Sequence, residues 1–584
     1  MRYLIIFSLL FSISLFGIER SKLMVNKNIL PDDKRPLENL KVYYPPFNPV
    51  NFALVGTVDT VGGTMYDWQF NGPCYHMIAN DPNWGVHVLW MYSPDAASGW
   101  PNRNMRYNFY DFQTRTWTFL EPPYMNYGQN AFQLRTGFGG FHILPTGEAV
   151  ACAHGVPEGA TNLTPIATKD ASPGAGLFPE VANGPEGYQW PPISVTRNGW
   201  IHCLMIDAAT QDNLYYAKIR EWPNWTTPIP IGPVAGEPIA NAGPAHNIAS
   251  SLRSNNVMVM WTQWDHPDAT VDSAAFRISP DGGETWSEVI PLPFPPAFTP
   301  GSETLASFHI ASLYGFFDIR DNPHFVATLY PVIRDTGWVI PTEIWHYCPT
   351  NTPPWSRIHR AQPESIVASV GYNAIFANRP TIGQHPDRGI LVAVWEEFVA
   401  SNQEPTTQVL RGAIWGAASL DNGLTWLPPV LLTDTTTTVS FRFPSVAEVI
   451  DDTVWITYIG DLQAGFVVQG QGQATENPVF VHKVPLSIFI LGIAENKKET
   501  PPKLSCSPNP FSKSTRLSLS VPNNSSSLVI YDASGKVVKR FNSLTPNLIW
   551  DGRDETGRPL PKGIYFLKLN AGKSFVTEKV ILSD

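Results

Sequence analysis

Short apolar runs separated by turn residues recur along residues 70–490. A representative unit begins with Gly140 to Leu144, turns at Pro145-Thr146-Gly147, and continues into the apolar run Ala149 to Cys152. Asn-Gly and Asn-Asn pairs in other units favour the positive φ angles that tight hairpins need. The pattern predicts an all-β chain made of repeated four-stranded units. These units start near residues 75, 141, 192, 247, 308, 379 and 443.

Composition narrows the architecture of these repeats. The 584 residues include 55 Pro, 20 Trp, 20 Tyr and 31 Phe. Proline is excluded from helix interiors and central strands, so this composition favours short strands joined by rigid turns. Four-stranded units with variable loops are typical of β-propeller blades. We therefore predict a propeller of about seven blades over residues 48–494, with six as the alternative count. A strand within residues 48–58 is expected to close the ring.

Two of the repeats share a more specific motif. Residues 279–286 and 419–426 both fit Ser-x-Asp-x-Gly-x-Thr-Trp, and residues 110–117 form a degenerate third copy. The motif resembles the Asp-box of sialidase-like propellers, which is a peripheral structural turn. Its Asp satisfies backbone donors, its Gly takes a positive φ, and its Trp packs between blades. The residues assigned to the two boxes are Ser279, Asp281, Gly283, Thr285, Trp286, Ser419, Asp421, Gly423, Thr425 and Trp426.

Polar side chains recur where the first strand of each blade is expected to begin. In a propeller these positions surround the mouth of the axial channel, where a ligand is expected to bind. A ring of histidines there suits a glycan or a metal ion, and the alternative is that each His forms a hydrogen bond within its own blade. No Asp or Glu recurs beside the histidines, so neither a metal site nor a cofactor is predicted. The ligand-binding candidates are His76, His142, His246, His309, Arg379 and Arg442.

The two arginines carry a second resemblance. Phe441 to Ser445 is similar to the Phe-Arg-Ile-Pro motif of sialidases, and Asn378 to Thr381 is a weaker match. The resemblance implies that three arginines hold a substrate carboxylate, which the planar guanidinium binds bidentately. It also implies a Tyr nucleophile paired with a Glu, and an Asp acid/base. Here the motif follows both Asp-boxes instead of preceding them, and no Tyr/Glu pair is evident. The catalytic residues therefore remain unassigned, and a structural ion pair is the alternative role for both arginines.

The two ends of the chain differ from the repeats. Residues 1–21 contain an uncharged apolar run too short to span a membrane, which predicts a secretory signal peptide. Residues 22–47 are expected to form an N-terminal extension. Residues 495–503 form a charged, Pro-containing linker. Beyond it, residues 504–584 alternate apolar and polar positions, which predicts a small immunoglobulin-like β-sandwich.

The C-terminal segment also resembles a known export signal. Its motifs at Pro508 to Phe511, Ile530 to Asp532, Trp550 to Gly552 and Gly563 to Tyr565 occur in the order found in type A sorting domains of the type IX secretion system. The resemblance implies that residues 504–584 engage that secretion machinery and direct export across the outer membrane of a Gram-negative bacterium. The alternative is a permanent immunoglobulin-like module.

Charge and cysteine content exclude several classes of function. The net charge of −10 and pI near 5.7 provide no basic face for nucleic acid. The five cysteines are odd in number and include no Cys-x-x-Cys, so neither a disulfide framework nor a zinc site is indicated. No later apolar stretch is long enough for a transmembrane segment in the mature chain. We therefore expect a secreted or surface protein that binds a glycan or another protein without catalysis. The alternatives are a sialidase-type glycoside hydrolase and a structural surface protein.

Overall fold

The computed structural model describes residues 53–490 and 503–584, apart from gaps at 71–73, 97–98, 212, 233–245, 263–273, 294, 296–306, 334–335, 373, 521–525, 542–546 and 572–573. The expected signal peptide, the N-terminal extension and most of the linker lie outside the described residues. The chain divides into two compact units, Met1–Gly492 and Ile493–Asp584.

The described part of the first unit contains seven antiparallel sheets. The first strand of the chain, β1 (Thr57–Thr64), belongs to the seventh sheet. The first sheet contains β2 (Ile78–Asp81), β3 (Gly85–Tyr92), β4 (Asn104–Asp111), β5 (Thr116–Trp117) and β6 (Gln129–Asn130). The second contains β7 (Thr136–Ile143), β8 (Ala149–Gly155), β9 (Thr164–Lys169) and β10 (Glu180–Asn183). The third contains β11 (Tyr188–Gln189), β12 (Ile193–Val195), β13 (Ile201–Asp207), β14 (Leu214–Glu221), β15 (Asn224–Trp225) and β16 (Ile229–Gly232).

The remaining four sheets follow the same plan. The fourth contains β17 (His246–Ser250), β18 (Val257–Thr262), β19 (Ala274–Ser279) and β20 (Ile290–Leu292). The fifth contains β21 (Ser307–Phe317), β22 (Pro323–Ile333), β23 (Thr336–Gly337), β24 (Thr342–Tyr347) and β25 (Trp355–Ala361). The sixth contains β26 (Ala377–Gln384), β27 (Leu391–Gln403), β28 (Leu410–Ser419) and β29 (Val430–Leu431). The seventh contains β30 (Ser440–Val446), β31 (Thr453–Asp461), β32 (Asn477–Pro485) and β1, and the short helix α1 (Leu486–Ile490) follows it.

The seven sheets form a closed ring. Their first strands β2, β7, β12, β17, β21, β26 and β30 contact one another in this order, and β30 also contacts β2. The ring is sealed within the seventh sheet, because β1 pairs antiparallel with β32, from Thr57 opposite Lys483 to Thr64 opposite Asn477. This is the architecture of a β-propeller, and the described sheets match the favoured count of seven. The closing strand lies later than residues 48–58, because Gly56, at φ +71°, breaks the extended chain just before the β-branched run that begins at Thr57.

The motif at residues 279–286 forms a turn between β19 and β20. Asp281 Oδ1 accepts the Thr285 N–H at 2.9 Å, and its Oδ2 accepts the Thr285 hydroxyl at 2.6 Å. Ser279 Oγ accepts the Gly283 N–H at 2.7 Å, while Gly283 has φ +77°. The carboxylate therefore satisfies donors that the turn would leave unpaired, as the sequence predicts.

The motif at residues 419–426 forms the same turn between β28 and β29. Asp421 accepts the Thr425 N–H at 2.8 Å and the Thr425 hydroxyl at 2.5 Å. Ser419 Oγ again accepts the N–H of a positive-φ glycine, Gly423, at 2.8 Å. Two repeats thus share one local structure, although the assignment to sialidase-like propellers stays a prediction.

The tryptophan after each turn packs on the preceding sheet. Trp286 makes an edge contact with Tyr216 of β14 at 4.8 Å between ring centroids, and Trp426 does so with His346 of β24 at 5.6 Å. In the degenerate third copy, Trp117 Nε1 donates to Asp59 of β1 at 2.9 Å. All three tryptophans therefore join neighbouring sheets.

The second unit contains two antiparallel sheets. One has three strands, β33 (Lys503–Ser507), β34 (Thr515–Ser520) and β37 (Asn547–Trp550). The other has four strands, β35 (Ser526–Asp532), β36 (Val537–Phe541), β38 (Gly563–Ala571) and β39 (Ser574–Leu582). Leu517 and Trp550 from the first sheet and Leu528 and Leu567 from the second belong to one hydrophobic core. The unit is therefore a small two-sheet structure, while its immunoglobulin-like topology stays a prediction.

Candidate functional site

The structure brings four of the six sequence-predicted residues together in two pairs. His76 and His142 lie side by side, and Arg379 and Arg442 converge on one carboxylate. His246 belongs to neither pair, and its Nε2 donates to the carbonyl oxygen of Trp190, between β11 and β12, at 2.8 Å. The side chain of His309 lies outside the described residues.

The arginine pair depends on an irregularity shared by two first strands. The pairing of β30 with β31 skips from Arg442 to Ser445, and that of β26 with β27 skips from Asn378 to Thr381. The residue before proline in each bulge has a positive φ, +60° at Phe443 and +52° at Arg379. In register, Arg379 therefore corresponds to Phe443 and not to Arg442. The two sequence motifs match, but their arginines occupy different positions.

Glu396 on β27 receives both arginines. Its Oε1 accepts Arg379 Nη1 at 2.5 Å and Arg442 Nη2 at 3.2 Å, while its Oε2 accepts Arg442 Nε at 3.2 Å. The Phe443 N–H also donates to Oε2, at 2.8 Å. Burial alone would raise the pKa of Glu396, but the two guanidinium groups lower it below its usual value. We call Arg379, Glu396 and Arg442 the arginine cluster.

Aromatic rings cover the arginine cluster. The Arg442 guanidinium lies 4.6 Å from the ring centroid of Phe398 and 5.1 Å from that of Phe466. The Arg379 guanidinium lies 4.8 Å from the ring of Phe443. All three charged side chains of the cluster are no more than 2% exposed. This arrangement favours the structural role over the binding of a substrate carboxylate.

Two further carboxyl groups lie beside the arginine cluster. Asp67 Oδ2 accepts the Val467 N–H at 2.8 Å, and Asp461 Oδ1 accepts the Gln463 N–H at 3.1 Å. Burial raises the pKa of Asp67 to about 7 against the opposing charge of Arg442. Burial and the nearby Asp67 raise the pKa of Asp461 as well. The pair therefore titrates as a unit that keeps a proton near neutral pH.

The histidine pair gains a carboxylate that the sequence did not indicate. The rings of His76 and His142 stack with centroids 4.9 Å apart, and His142 Nε2 lies 3.9 Å from Glu448 Oε2. Tyr314 on β21 donates its hydroxyl to Glu448 Oε1 at 3.1 Å. Each of His76, His142 and Glu448 offers one atom that could ligate a metal ion, and these three atoms lie within 4.8 Å of one another. We call these three residues the histidine cluster.

Burial sets the charge state of the histidine cluster. It lowers the pKa of His76 and of His142 to about 4, with His76 adding to the effect on His142. Burial raises the pKa of Glu448 against the opposing influence of His142 and Tyr314. Glu448 follows β30 in the seventh sheet, and ring closure brings it to the first and second sheets. The signal in the sequence is a lone acidic residue within an apolar run, Val446-Ala447-Glu448-Val449.

A cavity of about 300 Å³ lies where the first strands of sheets four to seven end. Glu448 lines it, so the cavity adjoins the histidine cluster. The sequence predicts a site at the starts of these strands, whereas the cavity lies at their ends. Its lining combines aromatic, charged and amide side chains, namely Leu252, Arg253, Phe316, Phe317, Asp318, Ile319, Gln384, Pro386, Glu448 and Val449.

The C-terminal residues carry the decisive family match. Residues 506–583 match the family of secretion system C-terminal sorting domains. The sorting domain indicates export, with secretion or attachment to the outer surface, as the sequence predicts. The described residues offer no helix with the length and apolarity needed to cross a membrane. All five cysteines are unpaired, and four of them are buried.

Similarity is also found among solved structures. An ulvan lyase of the polysaccharide lyases is 13% identical, with a TM-score of 0.42 over 72% of this chain and 96% of that chain. An α-L-arabinanase from Penicillium chrysogenum is 10% identical, with a TM-score of 0.36 over 74% and 98%. A lectin from Burkholderia pseudomallei is 13% identical, with a TM-score of 0.39 over 66% and 93%. No curated protein sequence matches the chain.

Proposed function

We propose that this exported protein is a non-catalytic carbohydrate-binding propeller. Its binding site is the cavity at the ends of the first strands of sheets four to seven. The observation that carries the proposal is the cavity's lining, which places Arg253, Gln384 and Glu448 beside Phe316 and Phe317. Polar groups that hydrogen-bond hydroxyls, set among aromatic side chains that pack on sugar rings, suit a carbohydrate.

The state of the arginine cluster supports binding over sialidase-type hydrolysis. Arg379 and Arg442 lie close together, as that hydrolase would require. However, Glu396 already accepts their N–H groups, and all three side chains are buried. A substrate carboxylate would have to displace Glu396 and leave its charge buried without a partner, which is costly.

A purely structural role predicts a channel without convergent polar groups. The histidine cluster contradicts that expectation, because three polar side chains from three sheets meet there. A role in ligand binding explains their convergence better than a role in assembly alone.

A glycoside hydrolase remains the second candidate, on different residues from those of sialidases. The pKa of Glu448 is raised by burial, as a general acid requires. Asp318 shares the cavity, and hydrogen bonds from His324 and Asn322 lower the pKa of its carboxyl despite partial burial. Asp318 also accepts the backbone N–H groups of Arg320 and Asn322 at 2.7 and 2.8 Å, so its oxygens already serve the local turn. Because the oxygens of Asp318 are already engaged, the site favours carbohydrate binding over hydrolysis.

The test is a glycan array probed with the mature full-length chain, followed by calorimetric titration of the best ligand. Arg253 is exposed and lines the cavity, so we expect Arg253→Gln to weaken binding about tenfold, the loss of one charged hydrogen bond. The matched control is Arg320→Gln, an exposed arginine that is absent from the lining. Recovery of intact ligand supports the proposal. Cleavage that is lost in Glu448→Gln would establish the hydrolase instead, and an array without ligands would contradict both.

A further inference from the structure

We infer that His76, His142 and Glu448 form a binding site for a divalent transition-metal ion, with zinc as the best fit. Two imidazoles and one carboxylate are a ligand set that zinc accepts, with a fourth position left for water or a ligand oxygen. The three residues come from sheets one, two and seven, which adjoin at the closure of the ring.

The hydrogen bonds of the imidazoles show which nitrogen keeps a lone pair for a metal ion. His76 Nδ1 lies 3.0 Å from the carbonyl oxygen of Phe141, and His142 Nδ1 lies 3.0 Å from that of Ile143. A carbonyl oxygen only accepts, so each Nδ1 carries the proton and each Nε2 keeps a lone pair. A backbone carbonyl on the outer nitrogen is the usual arrangement behind a metal-bound histidine.

The three converging atoms are therefore all acceptors. His142 Nε2 faces Glu448 Oε2, Nε2 is the ligand atom that His76 can offer beside them, and the described residues supply no hydrogen bond to any of the three. The separation of 3.9 Å between His142 Nε2 and Glu448 Oε2 is too long for a hydrogen bond. Buried acceptors that face one another repel unless a cation or a proton lies between them. A metal ion satisfies all three at once.

The separations between the three ligand atoms are close to those found around a bound zinc ion. With zinc–nitrogen distances of about 2.0–2.1 Å, ligand atoms in a tetrahedron lie about 3.3 Å apart. The three atoms here lie within 4.8 Å of one another. Both histidines are buried, and each Nδ1 is engaged by a backbone carbonyl oxygen, which leaves Nε2 as the ligand atom. Tyr314 holds the other oxygen of Glu448, which leaves Oε2 for the ion.

The experiment uses the mature full-length chain, stripped of metal with a chelator and titrated with Zn²⁺ in a calorimeter. We expect one equivalent to bind. His76→Gln, His142→Gln and Glu448→Gln should each weaken binding at least about tenfold. Co²⁺ in place of Zn²⁺ should give the visible absorption of a four- or five-coordinate site in the unmodified chain only.

The control is another histidine beside a carboxylate. His359 Nε2 lies 2.8 Å from Glu397, and the described residues place no third ligand there. His359→Gln should leave Zn²⁺ binding unchanged, and far-ultraviolet circular dichroism confirms that each variant is folded. Absence of binding by the folded, unmodified chain would overturn the inference, and so would equal binding by the three cluster variants. The probe is the metal alone, so this result is independent of whether the cavity binds carbohydrate.

Discussion

Two clusters in the same propeller use nearly the same ingredients. The arginine cluster joins one buried glutamate, Glu396, to two basic side chains from neighbouring sheets. The histidine cluster also joins one glutamate, Glu448, to two nitrogen-bearing side chains from neighbouring sheets. In the first, donors meet an acceptor, and the pKa of the glutamate is lowered. In the second, acceptors meet an acceptor, and burial raises the pKa of the glutamate.

The difference separates a structural cluster from a binding site. Arginine has only donors, so two arginines saturate one carboxylate and complete the arginine cluster without a ligand. A neutral histidine with its Nδ1 proton engaged offers only a lone pair, so the histidine cluster is incomplete until a cation arrives. Each cluster holds one glutamate and two basic side chains in largely buried positions, and donor–acceptor balance distinguishes them.

The largest effect is expected from removing the charge of Glu396. The substitution Glu396→Gln leaves two buried guanidinium groups without their anion, which should cost about 3–5 kcal/mol of unfolding free energy. Urea denaturation of the full-length chain measures the loss. Glu397→Gln, on the next residue and partly exposed, should cost less than about 1 kcal/mol. Equal losses in the two variants would show that Glu396 does not hold the arginine cluster together.

The histidine cluster should instead gain stability from metal. At a Zn²⁺ concentration of about 100 times the dissociation constant, binding to the folded state adds about 2.7 kcal/mol. Denaturation with and without Zn²⁺ should show this gain in the unmodified chain and in Glu397→Gln, but not in Glu448→Gln. A gain that persists in Glu448→Gln would place the ion elsewhere.

The carboxyl pair beside the arginine cluster should give the propeller a pH dependence. The pKa of Asp67 is raised to about 7, so the folded state holds a proton that the unfolded state has lost. Stability should therefore fall as pH rises from about 4 to about 7, by at most about 1.4 kcal/mol per pH unit. Asp67→Asn keeps the shape of the protonated side chain and should flatten this slope in urea denaturation. Asp452→Asn, at an exposed carboxylate, should keep the slope.

The propeller could be predicted because its signals are local. Apolar runs, turn residues and the two Asp-containing turns repeat along the chain, and each blade forms from consecutive residues. The closing strand is different. The sequence places it within residues 48–58, but it spans Thr57–Thr64 and pairs with β32, which lies at the far end of the repeats. Local alternation does not show which residues pair over such a distance.

The clusters could be predicted only in part. The sequence singled out His76, His142, Arg379 and Arg442 by their places near first strands, but not Glu448, because ring closure alone brings the seventh sheet to the first. It also matched Arg379 with Arg442, whereas the bulges in β26 and β30 put them out of register. Whether each side chain faces a donor or an acceptor depends on these contacts between sheets. A repeat pattern does not show them.

The smallest effect tests how the histidine cluster is oriented. Tyr314→Phe removes the hydroxyl that holds Glu448 Oε1 at 3.1 Å. Losing such a partner typically costs about 10–100-fold in metal affinity, and we expect the lower end because the three ligands themselves remain. Tyr458→Phe is the control, because its buried hydroxyl bonds to His482 at 3.2 Å, outside both clusters. Each substitution should cost about 1 kcal/mol of stability, but only Tyr314→Phe should shift the Zn²⁺ titration. If both variants lost stability and kept full affinity for Zn²⁺, Tyr314 would contribute only to packing. Glu448 would then bind the ion without the hydrogen bond from Tyr314.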